Sequence, residues 1–145
     1  MTVNTSAEYY RPAGIQYMGL RLLDVSQTNI SDHFEDIVQF IDSAISGGGK
    51  ILVNCHLGVS RSPTCVLAYL ITKHNMSLAQ AVDQVIRLVL FFNYFCGIIK
   101  QNIFQVRKHR MVKPNEGFLK QLTELDVRLR DSSLAAASLT EKGRS

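Results

Sequence analysis

Much that would direct this chain toward other chemistry is missing from it. Its three cysteines, Cys55, Cys65 and Cys96, show no CxxC or other metal-ligand spacing and build no disulfide framework. No metal or cofactor is therefore expected. None of the four histidines, His33, His56, His74 and His109, pairs with a carboxylate at motif spacing, so no Ser/His/Asp-type triad is supported. No basic-then-apolar leader opens the chain, which argues against a signal peptide. No apolar run approaches the ~20 residues that span a bilayer, so no membrane partner is expected. Lys and Arg are not clustered among aromatics, so nucleic acid is not expected either. No internal repeat is visible.

What remains is one domain's worth of chain, 145 residues, with 46% apolar residues for a core and a net charge of +4. That charge suits an acidic substrate such as a phosphoprotein. Free thiols fit a reducing setting, cytoplasmic or nuclear.

The informative stretch is Lys50 to Ser62, KILVNCHLGVSRS. Ile51 to Asn54 read as a short buried strand, and Ser62 opens a helical pattern. Between them stand Cys55, His56, Leu57, Gly58, Val59, Ser60 and Arg61. A loop running from a strand into a helix N-terminus turns successive backbone amides inward, and with the helix dipole it makes a cradle for a tetrahedral anion. Gly58 supplies backbone freedom that a Cβ would deny. Arg61 offers a planar fork for two phosphate oxygens. The same field favours the Cys55 thiolate, below the ordinary thiol value of about 8.5. The thiolate can then attack a bound phosphorus in line. Ser62 can hydrogen-bond the sulfur and ease its departure, a covalent route through a cysteinyl phosphate. The plainer alternative is a free core cysteine beside a loop arginine.

This stretch resembles the signature loop of the protein-tyrosine phosphatases. Ser62-Pro-Thr-Cys-Val-Leu-Ala-Tyr-Leu-Ile71 resembles the helix of their dual-specificity branch, and the likeness runs from about Thr2 to Leu129. It implies an α/β fold: a central β-sheet, here with strands near 15–22 and 50–54, flanked by helices. It implies a phosphatase domain over 1–130 that removes phosphate from tyrosine and serine/threonine of phosphorylated proteins, MAP-kinase-like ones among them. It also implies roles for individual residues. Asp24, in the polar loop Leu23–Ile30, protonates the leaving oxygen; the loop residues from His56 to Arg61 hold the phosphate; Asn115 braces the cradle; Arg110 meets a second acidic group.

Three departures qualify the resemblance. Asn54 stands where the family places a histidine, so Cys55 is expected to be less acidic. The likeness begins in the middle of the family's domain, so its opening two strands and helix are expected to be missing. Ile86–Val106, IRLVLFFNYFCGIIKQNIFQV, reads as an apolar insert, partly buried or prone to misfold. These departures support a second reading, an inactive or phosphate-binding relative. A sulfurtransferase of rhodanese type is a third, against which Arg61-Ser62 argue.

Elsewhere, Met18, Leu20 and Leu22 alternate onto one strand face. Ser31 is expected to cap a helix with Phe34, Ile37, Val38, Ile41 and Ile45 inward, ended by Gly47 to Gly49. The signature helix should end near Asn75, and Ser77 should cap the next, with Leu78, Ala81, Val82 and Val85 inward. Phe118, Leu122, Leu125 and Leu129 predict a last amphipathic helix, and 131–145 a disordered tail.

Overall fold

A computed structural model describes residues 6–94 and 111–142. Among the described residues are five α-helices: α1 (Ala7–Tyr10), α2 (Phe34–Ser46), α3 (Arg61–His74), α4 (Leu78–Tyr94) and α5 (Glu116–Lys142), with short 3₁₀ turns at Arg11–Ala13 and Ser31–His33. The signature helix, α3, is the hub; α2, α4 and α5 all pack on it.

The sequence explains why. Val66, Leu67, Ala68, Tyr69, Leu70 and Ile71 are all buried, so α3 has apolar residues all round and needs neighbours on every side. Pro63 falls in its first turn, where a missing amide proton leaves no intrahelical bond unmade. Asn75 closes it in the left-handed conformation, φ 52°, with its amide returned to the Leu70 carbonyl. On α2, Phe34, Ile37, Val38 and Ile41 are buried at helical spacing. On α5, Phe118, Leu122 and Leu125 do the same. Ser77 and Gln80 cap α4 reciprocally: the Ser77 amide donates to Gln80 Oε1 at 2.8 Å, and the Gln80 amide donates to Ser77 Oγ at 3.1 Å.

Four features differ from the sequence reading. First, no described residue is in a strand. Residues 15–22 and 50–54 form neither helix nor strand, and part of each packs on the helices. The expected alternation holds in part as burial: Leu20, Leu22, Ile51 and Val53 press on the core and Leu52 is 67% exposed, but Met18, expected on the same face as Leu20 and Leu22, is exposed. Alternation sets which face is buried, but a strand also needs a ladder of partner hydrogen bonds, and none forms among the described residues.

Second, Ser31 caps nothing. Its hydroxyl bonds the Asn29 side chain at 2.7 Å, and the amides of Ile30 and Ser31 instead meet Gln121 of α5, each at 2.9 Å. Those two amides are thus satisfied from a residue some ninety positions away. Third, residues 86–94 of the expected insert continue α4 as helix to Tyr94. No glycine or proline interrupts the run, and Arg87 adds an i,i+4 ion pair with Asp83 at 2.6 Å. The rest of the expected insert, 95–106, lies outside the described residues. No helix among the described residues is long and apolar enough to cross a membrane. Fourth, α5 continues through Lys142, well into the stretch expected to be a disordered tail. Residues 131–135 are exposed, so this part of the helix rests on its backbone bonds and local propensity rather than on packing.

Candidate active site

The loop between Val53 and Arg61 carries the thiol. Gly58 turns it with φ 74°, a conformation that favours glycine. That turn aims the Gly58 amide at Cys55 Sγ, 3.1 Å away. The Ser62 hydroxyl donates to the same sulfur at 3.2 Å, and the Ser62 amide, in the first turn of α3, adds a further bond. Burial works against a charged sulfur here. The Ser62 hydroxyl, the two amides and the Arg61 charge outweigh it, so the Cys55 thiol is held below its ordinary range. Cys65, on α3, is the contrast: burial first, then the charge at Cys55, push it up to about 12.

Arg61 leaves the loop toward residues 22–24. One terminal nitrogen donates to the Leu22 carbonyl at 3.1 Å. Its Nε lies 3.7 Å from Asp24 Oδ2, an ion-pair distance too long for a hydrogen bond. That buried Nε has no hydrogen-bond partner among the described residues. Asp24 is one-third exposed and accepts a hydrogen bond from Asn115 Nδ2 at 2.9 Å. The fold thus gathers Cys55, Arg61, Ser62, Asp24 and Asn115 from three separate stretches of chain.

Asn115 does several things at once. Its Oδ1 accepts from the Phe118 amide at 3.0 Å, which caps α5. Its own amide donates to Ser60 Oγ at 3.0 Å. Beside it, the Lys113 amide donates to the Val59 carbonyl at 2.9 Å. Ser60 is buried, and its carbonyl takes both the Thr64 amide and the Thr64 hydroxyl, at 3.0 and 2.8 Å. The cradle is therefore braced from outside by the segment before α5 and from below by α3. His56 and Leu57 are exposed on the loop. Arg110 lies outside the described residues.

Sequence reasoning missed the bracing hydroxyl of Ser60, the Leu22 carbonyl and Gln121. Backbone carbonyls carry no sequence signal, and serine and glutamine are too common to stand out without their partners.

Residues 1–128 match the dual specificity phosphatase catalytic domain. The chain belongs to that family. It is 40% identical over 124 residues, 85% of this chain, to human dual specificity protein phosphatase 26. The match takes in 49% of that relative, so the chain spans about half the length of the curated relatives it matches. Among solved structures, the human tyrosine phosphatase-like serine/threonine/tyrosine-interacting protein aligns with TM-score 0.60 and 27% identity, over 79% of this chain and 62% of that one. DUSP15 aligns with TM-score 0.58 and 25% identity, over 81% and 67%. These relatives share the dual-specificity phosphatase architecture.

Proposed function

We propose that this domain hydrolyses phosphate esters on proteins, at tyrosine and at serine or threonine, through a cysteinyl phosphate. The observation that carries the reading is the surroundings of Cys55 Sγ: donors from Gly58 and Ser62 converge on one sulfur and favour its anion. A thiolate so placed is an activated nucleophile.

The steps follow from the neighbours. Phosphate oxygens bind the loop amides and the Arg61 guanidinium, whose unpartnered Nε is a donor such an oxygen would satisfy. Cys55 Sγ attacks phosphorus, and the bond from phosphorus to the substrate oxygen breaks. Asp24 acts as the general acid and gives that oxygen its proton, since an alkoxide or phenoxide leaves poorly alone. Asp24 then takes a proton from a water that attacks the same phosphorus. The sulfur–phosphorus bond breaks, inorganic phosphate leaves, and the Ser62 hydroxyl receives the returning charge on sulfur. Asn115 keeps Asp24 over the loop in both steps. Phosphorylated proteins, MAP-kinase-like ones first, are the substrates to try, in a reducing compartment such as cytoplasm or nucleus.

Turnover of 4-nitrophenyl phosphate with inhibition by vanadate tests the proposal. Soluble, folded protein with no turnover would reject it. A second reading, a phosphate-binding module without turnover, is favoured by Asn54, which stands in place of the family's histidine and is exposed beside Cys55. A solved neighbour named as a phosphatase-like interacting protein has this fold too, so the fold alone does not choose between catalysis and binding. Tungstate binding without turnover would favour the module.

A further inference from the structure

The loop that carries Asp24 runs alongside the first two turns of α5, and the two touch in matching order. Asp24 meets Asn115. Ser26 meets Gly117, where an added Cβ would overlap the Ser26 carbonyl. Thr28, Ile30 and Ser31 meet Gln121: its Nε2 donates to the Thr28 carbonyl at 3.0 Å, and its Oε1 accepts from the Ile30 and Ser31 amides at 2.9 Å. Six residues of helix rise about 9 Å, enough to follow the loop from one end to the other. The loop also closes on itself, the Thr28 amide donating to the Val25 carbonyl at 3.1 Å. Of these contacts, only the one at Asn115 touches Asp24 itself. Gly117 and Gln121 act on the loop's backbone, beyond the reach of substrate.

We propose that Gly117 and Gln121 are positioning residues for the proton donor: they dock the Leu23–Ile30 loop on α5 and so set where the Asp24 carboxylate stands beside Arg61. The inference rests on the phosphatase reading and adds to it a loop held in place before substrate arrives. Gly117 serves because only a residue without a side chain lets helix and loop backbones approach this closely. Gln121 serves because one amide group both accepts from two loop amides and donates to a loop carbonyl. A carboxylate there would keep the acceptor and lose the donor. An aliphatic side chain would lose both and leave the Ile30 amide, on a fully buried residue, without its bond.

A proton donor matters most for a basic leaving group, so the test compares two substrates. In Gln121→Leu and Gly117→Ala, kcat/KM for phenyl phosphate should fall about tenfold more than kcat/KM for 4-nitrophenyl phosphate, a part of what general acid catalysis supplies. Gln121→Glu should show a smaller bias of the same sign, and covers the case that the leucine variant does not fold. Equal losses on both substrates would overturn the inference and leave the phosphatase reading standing. Amide exchange gives an arm that needs no turnover. In Gln121→Leu, or in Gly117→Ala should that variant not fold, the Ile30 and Ser31 amides should exchange more than about tenfold faster, with α3 amides unchanged. Unchanged exchange there would overturn the docking itself. A wild-type protein that turns over neither ester would defeat the proposed function, and exchange would still decide the clamp.

Discussion

Cys55 and Cys65 stand ten residues apart, both half-buried, and their environments push them in opposite directions. Cys55 follows residues 50–54 and faces the opening turn of α3, where amides and a hydroxyl are free to donate. Cys65 lies a turn deeper in the same helix, where the backbone amides are already committed to the helix ladder. Burial opposes charge at both sites. Only at Cys55 do hydrogen bonds outweigh it. A thiol held below its ordinary range is therefore made by the end of a helix and a glycine turn rather than by exposure.

The largest test of that contrast is replacement of the nucleophile. Cys55→Ser should reduce aryl phosphate turnover to background, while Cys65→Ala should leave kcat within about twofold, because it contributes no group to the proposed steps. Turnover surviving in Cys55→Ser would break the comparison outright. Asp24→Asn separates the thiol from its neighbour. It should lower kcat/KM by about a hundredfold, more for phenyl than for 4-nitrophenyl phosphate, while vanadate still binds.

Alkylation reads the thiols directly. Iodoacetamide at pH 7, followed by peptide mass mapping, should mark Cys55 and spare Cys65. Ser62→Ala removes one donor to the thiolate and so raises the pKa of Cys55. The midpoint of its labelling should move upward. A midpoint that stays or falls would show that the hydroxyl does not support the anion. The smallest effect should come from Cys65→Ala as a stability measurement, a cost of about 1 kcal/mol, read as a thermal midpoint lower by a few degrees.

The site was legible to different depths. Cys55, Gly58, Arg61 and Ser62 lie within eight residues, and a local motif carries its geometry with it. Asp24 and Asn115 sit ninety-one positions apart. Each alone reads as a turn residue, and only the family resemblance assigned them a task. Gln121 was out of reach, because its partners are backbone groups of Thr28, Ile30 and Ser31 some ninety positions away. The apolar faces of α2, α3 and α5 were readable from their spacing, since a helix satisfies its own backbone. The buried faces of residues 15–22 and 50–54 were readable in part, but the strands were not, since a strand depends on a partner.

By itself the order of residues decided where the thiol, the glycine turn and the guanidinium fall, and which side chains leave water, because these follow from neighbours in the chain and from helical periodicity. Tertiary structure alone decided that Asp24 lies beside Arg61, that Asn115 joins Asp24 to the loop that carries Cys55, and that Gln121 holds the backbone of Thr28 to Ser31. Those contacts join stretches some forty to ninety residues apart, and a hydrogen bond needs its partner within about 3 Å. Only packing around α3 brings them that close.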